Sequence, residues 1–445
     1  MAMVGILQTK ALLKRLDEIN AAGTLDGANA DRSENLHRLF MYPAMMVPVT
    51  QSIIIEAISH VCPNEAWAID PFMGSGTSLM SCMEFGFNVF GQDINPFSVL
   101  LTKAKIFSFD MVGYEKTYVQ IKQHIESDTD QSIAVSFKNI DKWFNKRTQI
   151  GLSKIRRAIQ CIEIKSFRYY YWTIYAEAIR IGGNDRTSTF KMHCRSVEEL
   201  KRRDIDIIKE FLVLAKRGFN DINNYRIKLE KCNLLIDNKY SRKTNIIWGN
   251  TQKAINSDLK FDLLVSSPPY GDNHTTVTYG QTSYLPLQWI DKKDLDCPYD
   301  YLRTSQEIDR QSLGGRIDRK VLKEEIYSLM AKSKVLRDFY QSIPDGEKHK
   351  YYKTLSFIKD FDESLDQIIA KMKSDAFYVW TIGNRNVGGR EIPNDDILLD
   401  LMMYHGIDLF YQAERKILNK MQPRRNNFSK TMEKEQIFIF HRKEN

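Results

Sequence analysis

The feature that most restricts this chain is a pair of short apolar runs, 66–70 and 88–93, each closed by an aspartate and each followed at once by a segment of helical composition. Parallel strands need a long crossover, usually a helix, to return the chain to the same edge. An alternation of this kind therefore predicts a parallel sheet with helices on its faces. The first run ends in Pro71 and then glycines, the profile of a buried strand feeding a tight turn. Helices are expected over 48–60, 77–85 and 96–105.

The rhythm stops for about 140 residues and resumes at Thr244. Strands are expected at 245–248 and 261–265, then a helix at 361–373, a strand at 376–382, a helix at 395–405 and strands at 407–413 and 436–441. The interrupting stretch, 107–243, has helical pattern with interleaved aromatics, and a second polar region spans 286–350. Residues 1–36 read as a short helix around 8–20 followed by a polar linker. The expected organisation is thus an N-terminal piece, 1–36, and a sheet-forming domain assembled from 37–106, 244–290 and 355–445, with 107–243 and 286–350 as insertions. No internal repeat is evident.

Charge separates these parts. Of the net +8, residues 107–243 hold 27 Lys and Arg against 17 Asp and Glu, so this one segment exceeds the whole excess. A concentrated basic segment is what binding to a phosphate backbone looks like in a sequence; a solvated helical surface would look the same. No apolar run approaches the ~20 residues of a membrane span, and the first ten residues lack a basic leader, which points to the cytoplasm. Six cysteines, Cys62, Cys82, Cys161, Cys194, Cys232 and Cys297, have no paired spacing. They are read as reduced thiols, mostly in the core, and no metal site is expected.

Two constellations carry chemistry. The first is Asp70-Pro71-Phe72-Met73-Gly74-Ser75-Gly76-Thr77. Glycines let the backbone turn sharply and approach a ligand, and the following helix N-terminus offers unpaired amides. Asp93, 17 residues after Gly76, ends the next strand, where a carboxylate can accept both ribose hydroxyls of a nucleoside. Neither a phosphate-binding Gly-Lys-Thr/Ser ending nor a Gly-x-Gly-x-x-Gly is present. The second constellation is Ser267-Pro268-Pro269-Tyr270 at the end of a Phe-Asp-Leu-Leu-Val strand. Two prolines stiffen the loop and leave carbonyl oxygens unpaired, beside a hydroxyl and a flat ring. Such a pocket can accept hydrogen bonds from an amino group and stack on the ring that bears it.

With these residues in this order, the chain resembles the amino-methyltransferase family of DNA modification enzymes. The first constellation is similar to that family's Phe-x-Gly-x-Gly cofactor motif. The second resembles its catalytic motif in the serine form, associated chiefly with cytosine-N4 enzymes. Tyr42-Pro43-Ala44-Met45 is similar to a Tyr-Pro-Ala-Lys segment at the methionine end of the cofactor, with Met45 replacing lysine, and Gly249-Asn250 resembles an adenine-contacting pair. The resemblance implies a doubly wound, seven-stranded α/β methyltransferase fold with S-adenosylmethionine across the strand ends. It names Tyr42, Pro43, Asp70, Phe72, Gly74, Gly76, Thr77, Asp93 and Asn250 for the cofactor and Ser267, Pro268, Pro269 and Tyr270 for catalysis. The substrate implied is double-stranded DNA with the target base flipped out. A cognate restriction endonuclease is a partner that the family suggests but these residues do not show.

Weaker expectations concern DNA contact. Arg186, the run Lys201-Arg202-Arg203, His274 and the pair Arg424-Arg425 are candidates for phosphate or base. Trp143 and Tyr169 to Trp172 could stack on nucleotides, although helix-spaced aromatics more often form core. Adenine-N6 methylation stays open as an alternative, as do RNA amino-methylation and a silent DNA-binding subunit. Carbon-5 chemistry is disfavoured, because no cysteine follows a proline in the catalytic loop.

Overall fold

The computed structural model describes residues 2–28, 34–187, 191–273, 275–418 and 433–442. Seven strands form its central sheet: β1 Trp67–Asp70, β2 Asn88–Asp93, β3 Thr244–Trp248, β4 Phe261–Ser266, β5 Met372–Ile382, β6 Asp408–Lys416 and β7 Lys434–His441. Their order across the sheet is β6-β7-β5-β4-β1-β2-β3. All neighbours from β3 to β5 pair in parallel, and β7 alone runs against the rest. This is the doubly wound, mostly parallel α/β arrangement that the sequence predicts.

The strands read as near-continuous apolar runs because both of their faces are covered. Ala68, Val89, Leu263, Val265, Val379 and Ile439 point into one core. Their neighbours Ile69, Phe90, Leu264, Tyr378, Trp380 and Phe440 point into the other. On the first face lie α1 (Ala2–Ala21), α2 (Pro48–Ser59), α3 (Thr77–Glu84) and α4 (Pro96–Ile106), together with α5 (Met111–Ser127), α6 (Lys146–Gln160), α7 (Lys165–Gly182) and α8 (Ile207–Lys231). After α9 (Tyr279–Trp289), the second face receives α10 (Arg319–Lys332), α11 (Lys334–Gln341), α12 (Tyr352–Ile369) and α13 (Asn394–Tyr404). The helices of 107–243 and 286–350 therefore share their cores with the sheet.

Several details differ from expectation. The N-terminal helix begins at Ala2, and the stretch after it contains a buried Leu25, whose carbonyl accepts from Thr50 Oγ1 at 2.8 Å. Helix α12 starts nine residues before the expected 361, because Leu355, Phe357 and Ile358 already face the core. Strand β5 begins at Met372, its first turns disguised by Lys373, Ser374 and Asp375; Lys373 pairs with Asp262 at 2.6 Å. The cysteines are free thiols: Cys82 is buried in the core, Cys62, Cys194 and Cys297 pack partly buried against it, and Cys161 and Cys232 are exposed. Trp143 and Tyr169 to Trp172 are buried, as their helical spacing favoured. Among the described residues no helix is long and apolar enough to cross a membrane, and no cluster of His, Cys, Asp and Glu could hold a metal ion.

Candidate functional site

Strand β1 continues outward through β2 to β3, whereas β4 lies on its other flank, so a crevice opens at the carboxyl ends of β1 and β4. Both chemical constellations leave the sheet there. Asp70 joins them. Its Oδ1 accepts from Phe72 N at 3.0 Å and from Ser266 Oγ at 2.7 Å, and its Oδ2 accepts from Ser78 Oγ. Fully buried, its carboxyl is pushed up to about 6 by loss of hydration, against those hydrogen bonds. Asp70 thus ties the glycine turn to β4 and does not face the crevice.

The glycine turn is held from the neighbouring strand. Gly74 N donates to Asp93 Oδ2 at 2.9 Å and Asn95 N to Asp93 Oδ1 at 2.7 Å. Each carboxylate oxygen keeps a further lone pair. Burial raises Asp93 to about 6. Gly74 at φ 49° and Gly76 at φ 76° adopt left-handed backbone, and a Cβ on Gly76 would stand 2.8 Å from the Thr102 side chain. Beneath the turn lies a polar cluster that sequence reading missed. Buried Lys105 donates to Ser75 O at 2.8 Å, and Thr77 Oγ1 lies 3.1 Å from Ser75 Oγ and 2.8 Å from His37 Nε2. Burial lowers Lys105 to about 7 and His37, which also faces Lys105, to about 3. No motif flags either residue; both are legible only once α4 packs under the turn.

The crevice spans roughly 850 Å³, counting the solvent-open space at its mouth. Tyr42, Phe72, Gly74, Thr77, Asp93 and Asn250 line it, as do Ser267 and Pro269. Of the residues named from the sequence, Pro43, Asp70, Gly76, Pro268 and Tyr270 do not line it. Tyr42 is buried; its hydroxyl pairs with Ser98 Oγ at 2.7 Å, and its ring stacks on Tyr279 at 5.7 Å. Asn250 Oδ1 accepts from Gln252 N at 3.0 Å, an Asx turn that shapes the loop after β3. Asn273, 3% exposed, also lines the crevice, and its Oδ1 has no hydrogen-bond partner. Such an orphan acceptor costs stability unless a ligand donor meets it. Tyr270 sends its hydroxyl away from the crevice to Glu435 Oε1, at 2.9 Å, and lies 3.1 Å from Ser267 Oγ.

The expected DNA-contact residues scatter. Arg186 is paired with Glu199 at 3.0 Å, and Arg203 donates to the carbonyls of Ile181 and Gly183 at 2.5 and 3.3 Å, closing the end of α7. Lys201 and Arg202 are exposed. His274, Arg424 and Arg425 lie outside the described residues.

Comparison with known proteins identifies the scaffold. The type II methyltransferase M.MvaI of Kocuria varians is 30% identical over 431 residues, spanning 92% of each chain. This chain belongs to the type II methyltransferase family. A second relative, type II methyltransferase M.MjaII of Methanocaldococcus jannaschii, is 24% identical over 253 residues, covering 54% of this chain and 44% of that one. No family model matches the type II methyltransferase chain. Among solved structures, the rRNA methyltransferase AviRa of Streptomyces viridochromogenes aligns over 90% of this chain and 86% of its own at 9% identity, with a TM-score of 0.27 too low to bear on the argument.

Proposed function

We propose that this type II methyltransferase transfers a methyl group from S-adenosylmethionine to the exocyclic amino group of a base extruded from double-stranded DNA, with cytosine N4 as the target. The observation that carries the reading is the shared crevice. Gly74 from the turn after β1 and Asp93 from the end of β2 line the same space as Ser267 and Pro269 from the loop after β4, nearly two hundred residues from Gly74.

The crevice residues fit the cofactor. Asp93 offers carboxylate lone pairs to a ribose, Tyr42 and Phe72 offer apolar walls, and the orphan Oδ1 of Asn273 offers an acceptor to an amino or hydroxyl donor. When bound, S-adenosylmethionine supplies an electrophilic methyl group on a sulfonium. The chain's own work is positioning. A cytosine amino nitrogen is a weak nucleophile because its lone pair is delocalised into the ring. Ser267 Oγ, which lines the crevice, would accept one N–H and turn the nitrogen towards tetrahedral geometry. Well-oriented reactants gain up to about 7–11 kcal/mol relative to the free encounter. Extrusion of the base costs a few kcal/mol. A methyl mark at a fixed site would protect that site from a cognate endonuclease.

The test is transfer of labelled methyl to duplex DNA followed by mass spectrometry of the nucleosides. N4-methylcytosine is expected. N6-methyladenine would replace the target while keeping the enzyme, label in RNA alone would replace the substrate, and a chain without affinity for S-adenosylmethionine would end the reading.

A further inference from the structure

Glu435 and Arg415 enter no motif, and the function proposed above makes no use of them. They sit opposite one another on the β6-β7 ladder, at the far side of the sheet from the glycine turn. Arg415, 8% exposed, donates through Nε to Glu435 Oε2 at 2.6 Å. Glu435 Oε1 accepts from the Tyr270 hydroxyl at 2.9 Å, and that hydroxyl lies 3.1 Å from Ser267 Oγ. A chain of three hydrogen bonds therefore runs from a charged pair in a remote hairpin to the serine at the crevice.

The direction of each bond follows from donor counting. A carboxylate can only accept, so the single Tyr270 hydrogen goes to Glu435. Between the two hydroxyls Ser267 must then be the donor, and its hydrogen is spent on Tyr270. What Ser267 presents to the crevice is lone pairs. We infer that Glu435, held by Arg415 and acting through Tyr270, fixes Ser267 as a hydrogen-bond acceptor for the substrate amino group and drains the proton that the nitrogen sheds on methylation. This inference rests on the function proposed above and assigns the hairpin a positioning and proton-accepting role in it.

The step balances. The nitrogen lone pair forms the new carbon–nitrogen bond as the carbon–sulfur bond breaks, its electron pair staying on sulfur. The nitrogen then carries one proton too many. That proton passes to Ser267 Oγ, the serine proton to Tyr270 Oη, and the tyrosine proton to Glu435 Oε1, leaving a neutral carboxylic acid. The Glu435 side chain is 13% exposed and can return the proton to water. Burial and the adjacent Glu435 carboxylate hold the Tyr270 phenol well above its ordinary range, so it stays protonated as the relay requires.

Single-turnover methylation at saturating cofactor and duplex, with wild type, Tyr270→Phe, Glu435→Gln, Glu435→Asp and the Phe/Gln double variant, tests this. General acid–base assistance contributes typically 10²–10⁴-fold, and because the methylated nitrogen is itself acidic a loss of about 10- to 100-fold is expected in Tyr270→Phe and Glu435→Gln. Glu435→Asp should recover most of the rate. The double variant should be no slower than Tyr270→Phe, and the wild-type solvent deuterium isotope effect should collapse towards unity in Glu435→Gln. Affinities for cofactor and duplex should stay near wild type. Tyr270→Phe leaves the Glu435–Arg415 pair intact, so it reads the relay even if Glu435→Gln folds poorly. Unchanged single-turnover rates in Tyr270→Phe, or losses confined to binding, overturn the inference while leaving the proposed function standing. A wild-type protein that leaves DNA unmethylated overturns both.

Discussion

Gly76 and Asp93 show how single residues shape the glycine-turn side of the crevice, where the cofactor is proposed to bind. Gly76 combines left-handed backbone with a wall 2.8 Å from where its Cβ would be. Gly76→Ala is expected to cost at least the ~1–2 kcal/mol of a left-handed non-glycine residue, read as a fall in the midpoint of thermal unfolding, together with weaker cofactor binding. Asp93 carries a carboxyl raised to about 6. Below that value it is protonated and a poorer acceptor for two ribose hydroxyls, so cofactor affinity should rise as pH increases through about 6 and then level. In Asp93→Asn, binding measured by calorimetry should be weak and lose that rise. For stability alone the sign is opposite. Asp70 and Asp93 each bind a proton more tightly folded than unfolded, so between about 4 and 6 their contribution to stability of the ligand-free protein falls as pH rises.

At the scale of elements, the basic insertion divides its charges between scaffold and surface. Arg157 and Arg168 pair with Asp128 and Asp294, and Arg203 holds the end of α7. Replacing all of Lys201, Arg202 and Arg203 would mix a structural loss with any loss of phosphate contact. Lys201→Ala with Arg202→Ala alone is the cleaner test. If these two meet the DNA backbone, the slope of log affinity against log salt should shrink by up to about 2, near 0.9 per phosphate contact, with no change in thermal midpoint. An unchanged slope would remove them from the interface. Asp294 works differently, since one carboxylate accepts from Arg168 Nε and Nη2, at 2.9 Å each, and from Trp172 Nε1 at 2.8 Å. It fastens the loop after α9 to α7. Asp294→Ala leaves the buried Trp172 indole donor unpaired and takes the carboxylate from Arg168, whose Nη1 still donates to Ile162 O and Glu163 O, a loss of roughly 1–3 kcal/mol measurable by denaturant unfolding.

For the whole molecule, the two insertions are parts of the sandwich. The helices of 107–243 contribute Tyr170, Tyr171, Trp172 and Phe211, all fully buried, to the core that covers one sheet face. Leu322, Ile326, Leu329 and Leu336 do the same for the other. Deleting 107–243 should therefore yield a chain with no cooperative calorimetric transition; a sharp transition would show that the sheet folds without it.

Much of this was readable from residues alone. Strand runs with two buried faces are apolar through their centres, and a glycine turn closed by an acid-ending strand announces itself locally, so β1, β2 and both chemical loops stood out by number. Short-range signals carried these because turn geometry and strand burial depend on neighbours in the chain. Tertiary structure decided what depends on distant partners. It turned Asp70 from a ligand contact into a tie to Ser266, committed Arg203 to the end of α7, and brought Lys105 under the glycine turn. It also joined Glu435 to Tyr270 across 165 residues of sequence. Hydrogen-bond direction and burial are properties of the surroundings, and no pattern of residue types along the chain encodes them.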